Sequence, residues 1–196
     1  MTRMQFIQAR IYYIWDSILK LLKGLALALP IGVVAAALSW LIIRLIEKKK
    51  EIVVAKKNLI VGFVFYISLL VQMGVFQRPF GSTRVVKWIP FQTPGGDDII
   101  VVYVLANILI FVPFGMFVPK IFDRCQKLWV VLLIGLGTSL MFEIIQYALA
   151  CGRSEVEDVI ANVAGVLVGF LIIKKIDERK WWKNSHLKKY LDTLEK

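Results

Sequence analysis

The sequence predicts an all-α, polytopic helical membrane protein with about five transmembrane helices and amphipathic helices at its two ends. Three observations carry that prediction. The 196 residues are 58% hydrophobic with a mean hydropathy of +0.69, above the apolar share usual for a soluble domain. The apolar residues come in repeated runs of 16–24, the length a helix needs to cross hydrocarbon. The short alternating segments of a transmembrane barrel do not occur.

Residues 1–23 place Ile7, Ile11, Ile14, Ile18 and Leu21 at three- and four-residue spacing, interrupted by Arg3, Arg10, Asp16 and Lys20. That pattern suits a helix lying in the membrane interface, or the frayed start of the first span. No cleavable signal peptide is evident, because the first long apolar run begins only near Gly24 and is too long for one. A membrane domain over 24–173 follows, with spans at about 24–46, 58–76, 99–122, 128–151 and 158–173. Pro30, Pro113 and Pro119 fall inside spans, where neighbouring helices can satisfy the freed carbonyls. The "FVPFG" stretch at 111–115 permits either a kink or a break.

The net charge of +11 is distributed by loop. The 44–57 and 120–127 segments and the tail after 173 hold seventeen Lys/Arg, whereas the 77–98 and 152–157 loops hold four. The excess marks the cytoplasmic side and places the C-terminus there. Five spans then put the N-terminus outside, although its own four Lys/Arg argue the other way, and a re-entrant hairpin at 24–46 would reverse it. The basic tail, 174–196, sets Leu187, Leu191 and Leu194 at helical spacing beside Trp181 and Trp182, as in a surface-lying anchor. His186, the one histidine, lies in this tail, far from any outward-facing chemistry. Nucleic acid is excluded as a partner, since no basic helix with interleaved aromatics accompanies the charge. Cys125 and Cys151 sit at opposite ends of one predicted span, about 39 Å apart, so no disulfide joins them.

Few polar residues interrupt the last three spans: Asn107 in the third, Glu143 and Gln146 in the fourth, and Asn162 in the fifth, preceded by Asp158. Asn107 and Glu143 each lie eight residues inside the outer end of their span, a depth of roughly 12 Å, and Asn162 roughly 6 Å. An ionisable group in mid-helix costs about 2.5–3.5 kcal/mol on insertion scales and turns toward protein or a water-filled cavity. The shared depth implies an outward-facing polar pocket in the outer leaflet, beneath a loop that adds Arg153, Glu155 and Glu157. Arg153 is then the nearby cation for these carboxylates. The plain alternative is that these groups are interhelical hydrogen-bonding glue worth about 0.6 kcal/mol each. Asp158, Asn162, Gly165 and Gly169 share one helix face. Its two glycines invite close packing against the third or fourth span, with Gly135 and Gly137 as candidate counterparts.

These residues resemble the signature of the VanZ-like family of small bacterial membrane proteins. The resemblance rests on "NILIFVPFG" at 107–115, "EIIQ" at 143–146 and "RSEVEDVIANVAGVLVG" at 153–169, and covers roughly 60–173. It maps motif positions onto Asn107, Phe111, Pro113, Gly115, Glu143, Gln146, Arg153, Asp158, Asn162 and Gly165. The founding member is associated with low-level teicoplanin resistance. The resemblance supplies no mechanism; a binding or remodelling protein with an outward polar pocket would have membrane lipids around it and would meet a lipid-linked cell-wall precursor or a lipoglycopeptide as ligand. Asn107, Glu143, Gln146, Arg153, Asp158 and Asn162 would form the binding set, and Phe111, Pro113, Gly115, Gly165 and Gly169 the structural set.

Two other function classes stay open on the residues alone. An intramembrane enzyme would use Glu143 as a general base raised by burial, with Asp158 as a second carboxylate. No histidine, Ser–Lys or Cys–His pair accompanies them, no cofactor is called for, and a metal would have to be held by the oxygens of Glu143, Asp158 and Asn162. A transporter is disfavoured because five spans show no internal repeat. Nothing in the sequence fixes the oligomeric state.

Overall fold

A computed structural model of the chain describes residues 3–50, 54, 56–76, 80–81, 83–87 and 97–194. Five helices carry the architecture: α1 (Arg3–Lys50), α2 (Lys57–Val71), α3 (Asp97–Ile121), α4 (Leu128–Ala148) and α5 (Val156–Leu194). All five are long and apolar enough to cross a membrane when the wider turn Gln72–Phe76 is counted with α2. The chain is therefore a multi-pass, all-α membrane protein, and its outward-facing apolar side chains, such as Leu27, Val33 and Ile42 on α1, are what lipid requires.

α1 is a single 48-residue helix, about 72 Å long. The expected division between an interfacial segment ending at 23 and a span starting at 24 does not appear in its backbone. One glycine among good helix formers costs only about 1 kcal/mol, too little for Gly24 to end the helix. Gly24 is buried, as are Ser17 and Ala28 on the same face, and Gly32 further on seats Phe65 and Leu69 of α2. α1 thus docks on α2 through small residues.

The closest packing is between α3 and α5. A side chain at Gly165 would run into the Ile108 carbonyl, one at Gly169 into the Val112 carbonyl, and one at Gly115 into the Val166 carbonyl. The glycine face of α5 therefore meets α3, with Gly115 as its counterpart across the interface. Gly135 of α4 serves Val166, whose nearest methyl lies 2.7 Å from where a Cβ would stand. Gly137 faces open space, so of the two candidates on α4 only Gly135 has a packing role. Phe111, Phe114, Val118, Val131, Val166 and Phe170 fill the core around these contacts.

Pro113 and Pro119 are absorbed within one continuous helix, so "FVPFG" is not a break. In the turn distorted by Pro113, the Tyr66 hydroxyl donates to the Ile110 carbonyl at 2.7 Å. At the end of the bundle holding the 120–127 turn, Lys57 pairs with Glu47, Lys56 with Asp123 and Lys120 with Asp177. Cys125 and Cys151 are free, as expected.

The opposite end carries a feature the helical reading did not include. Strands β1 (Thr83–Lys87) and β2 (Cys151–Glu155) pair in parallel, Val85 opposite Arg153. α4 consequently ends at Ala148 rather than 151. Leu149 and Ala150 form a turn, with Ala150 left-handed at φ 49°, a conformation that often closes a helix. α5 then starts at Val156 with Glu157 and Asp158 in its first turn, where the helix dipole favours negative charge.

Gly165→Ala and Gly169→Ala are expected to force α3 and α5 apart, destabilising the protein by about 1–3 kcal/mol or more. Gly137→Ala should leave the folded yield unchanged or raise it. Thermal unfolding in detergent, followed by size-exclusion chromatography, checks the contrast; equal tolerance at the three positions would contradict this packing.

Candidate functional site

The polar residues converge at the end of the bundle capped by the two strands. α3 presents Asn107 to α5, where its Nδ2 donates to Asp158 Oδ1 at 2.6 Å. That contact follows from the glycine packing, because Gly165, seven residues after Asp158, brings the same two helices to backbone contact. Asn162, one turn on from Asp158, reaches the other neighbour and donates to Ser139 Oγ of α4 at 2.9 Å. Its Oδ1 is buried with no partner among the described residues. α5 is thus pinned by one polar bond to each flanking helix.

Gln146 of α4 turns to the wider turn after α2, where its Nε2 donates to the Gly74 carbonyl at 2.9 Å. Such turns leave carbonyls outside the regular helical ladder, and a Cβ at Gly74 would stand 3.4 Å from the Phe142 ring. The Gln146 backbone carbonyl accepts from the Cys151 thiol. Glu143, one turn earlier, accepts at Oε2 from the backbone N–H of Glu155, 3.2 Å away on β2. The strand that ends α4 early is therefore also what positions its carboxylate.

Asn107, Glu143, Gln146, Asp158 and Asn162 all line one cavity of about 980 Å³. With the helix ends as observed, Glu143 lies five residues from the end of α4, about 8 Å, and Asn107 ten from the start of α3, about 15 Å. The sequence-based depth was equal for the two because it assumed equal spans. Lateral packing still brings their side chains to the same space. Arg153 is placed by its backbone on β2; its side chain lies outside the described residues. Glu157 is buried at the base of α5.

Sequence reasoning missed the wall that α1 contributes. Ser17, Lys20 and Lys23 line the same cavity, as does Tyr103 of α3. Lys20 pairs with Asp16 at 2.6 Å, one turn back on α1. Reading residues 1–23 as separate from the membrane domain hid these lysines. The signal that could have found them is the Ser17–Gly24–Ala28 face, which marks α1 as docked along this length. No group of three His, Cys, Asp or Glu able to hold a metal occurs among the described residues.

A model of the VanZ/LLP1 family matches residues 59–177, more than half of the chain. The chain belongs to the VanZ/LLP1 family. The match spans α2, α3, α4 and β2 and the first part of α5, and so includes Asn107, Glu143, Gln146, Asp158 and Asn162, whereas α1 with Lys20 and Lys23 lies outside it. No curated protein matches the chain, and neither does any solved structure.

The Asn107–Asp158 bond gives a test of the site's assembly. Asn107→Asp sets two carboxylates against each other and should lower the unfolding temperature and the monodisperse fraction. The exchanged pair Asn107→Asp with Asp158→Asn restores one donor and one acceptor and should recover most of the loss, expected at about 1–3 kcal/mol. A double-mutant cycle on thermal midpoints reads the coupling; no coupling would place the two residues out of contact.

Proposed function

We propose that this VanZ-family protein binds an amphiphile of the cell envelope in the outer leaflet, either a lipid-linked cell-wall precursor or a lipoglycopeptide, and so gives low-level resistance to teicoplanin-type glycopeptides. The reading takes the basic end of the bundle, with the C-terminus, as cytoplasmic and the cavity as facing outward. The observation that carries it is the gathering of Asn107, Glu143, Gln146, Asp158 and Asn162 around one cavity whose other lining is largely apolar, including Leu70, Ile110 and Phe111. A space with apolar walls and a polar end suits an acyl-bearing molecule better than a small solute. In this reading the amides orient the head group, Arg153 meets its phosphate or carboxylate, and Glu143 orients Arg153 or receives an amine.

A second reading, a carboxylate-dependent enzyme acting on a lipid-linked substrate, draws on the same geometry, since Glu143 and Asp158 line one cavity. The two separate at Glu143→Gln. Binding retains much of the activity because the amide keeps shape and hydrogen bonding, whereas loss of a general base costs on the order of 10²–10⁴ in rate.

The test is susceptibility of a glycopeptide-sensitive host expressing the chain, teicoplanin beside vancomycin, at matched membrane levels. Wild type should protect against teicoplanin, Glu143→Gln partly, and Arg153→Ala not at all. Unchanged susceptibility in all three strains would remove the resistance assignment.

A further inference from the structure

The wall that α1 gives the cavity has a buried middle and an open edge. Ser17, Gly24 and Ala28 form the middle. Lys20, Lys23 and Leu27, at i, i+3 and i+7, run down one edge beside it, and all three line the cavity. Gly32 seats Phe65 and Leu69 of α2 and is turned about 140° from Leu27 around the helix. The edge with Leu27 therefore faces away from α2, on the side where α1 touches α3.

The facing edge of α3 carries Tyr103, Ala106 and Leu109, which line the same cavity. α1 docks mainly on α2 and touches α3 much less, so a seam separates the two edges. Ala106, between Tyr103 and Leu109, puts only a methyl group into it. Leu27 is 66% exposed and Leu109 68%, although both line the cavity, so the seam is open at their level. Both residues belong to stretches that cross the membrane, and what stands outside them is hydrocarbon.

The seam is graded in polarity. α1 and α3 both run away from the strand-capped end, so Lys20, Lys23 and Tyr103 stand nearer that end than Leu27 and Leu109. The Lys20 ammonium pairs with Asp16, whereas Lys23 has no partner among the described residues. Lys23 stands four residues before Leu27, about 6 Å along the helix. Glu143 and Asp158 are already engaged, by the Glu155 N–H and the Asn107 amide, and take no part here. A lone ammonium at the head of an apolar slot matches a lipid phosphate carried on a hydrocarbon chain.

We infer that the seam between α1 and α3 is a lateral entrance to the cavity, through which a hydrocarbon chain of an anionic bilayer lipid enters while its phosphate rests against Lys23. The inference rests on the binding reading above and adds to it a route and a head-group charge. It also gives a role to α1, which the family match does not cover.

The full chain in phosphatidylcholine nanodiscs, doped with phosphatidic acid bearing a diazirine near the end of one chain, tests it by photolabelling and mass spectrometry. Wild type should label at Leu70 and Phe142, buried residues of the cavity lining, saturably and in competition with unlabelled phosphatidic acid. Ala106→Trp should fill the seam and remove most of that labelling. Leu27→Trp, at an exposed position where folding is not at stake, should do the same, while labelling of lipid-facing Ile42 stays unchanged in both variants. Lys23→Ala should weaken cavity labelling by phosphatidic acid about tenfold, the size of one hydrogen bond to a charged group. A phosphatidylcholine probe with the same chains should label the cavity less and be indifferent to Lys23→Ala. Cavity labelling that survives both tryptophans overturns the lateral entrance, and equal labelling by the two probes overturns the head-group assignment; in either case the binding reading stands. Absence of saturable labelling at Leu70 and Phe142 in wild type removes the inference and the binding reading together.

Discussion

The backbone contact between α3 and α5 sets the rest of the molecule. Lipid provides no hydrophobic drive for helices to associate, so close van der Waals approach must supply it. Gly115, Gly165 and Gly169 allow that approach by leaving carbonyls of the opposing helix where a Cβ would otherwise be. Once the two axes are this near, a short amide on one helix reaches a short carboxylate on the other, and the 2.6 Å bond from Asn107 to Asp158 results. A leucine-packed pair would stand farther apart and would need longer side chains to bridge it.

The same interface orders α4 around it. Val166 projects from α5 into the notch at Gly135, and Asn162 spans to Ser139 one turn away. These two contacts fix both the rotation and the height of α4, and hence where Glu143 and Gln146 point. β2 closes the arrangement from above, since its Glu155 N–H holds Glu143. Polar groups inside a bilayer need partners. Here α5 finds partners on α3 and α4 through Asp158 and Asn162, whereas Glu143 bonds to β2 and Gln146 to the turn after α2.

Much of this was legible in the sequence because membrane helices obey few rules. Run length gave five spans, and i, i+4, i+7, i+11 spacing put Asp158, Asn162, Gly165 and Gly169 on one face. Which helix that face meets was not legible, since α3 and α4 both offer small residues; only the structure distinguishes Gly115 from Gly137. The end of α4 was misjudged because Leu149, Ala150 and Cys151 are as apolar as the helix before them. What ends it is a left-handed turn at Ala150 and the pairing of Thr83–Lys87 with Cys151–Glu155. Strand pairing across some seventy residues leaves no local periodicity to read.

α1 carries packing that composition does not reveal. Charged residues at 3, 10, 16 and 20 read as a helix kept at the membrane surface. Yet Ser17, Gly24 and Ala28 are buried on one side of the same helix, so it is held by protein along this length. A lysine near the end of a span is tolerable when its stem lies along apolar surface and its ammonium reaches a polar region. Lys20 has Asp16 beside it and lines the cavity. The charges of this segment thus stand beside a polar region that the facing helices build.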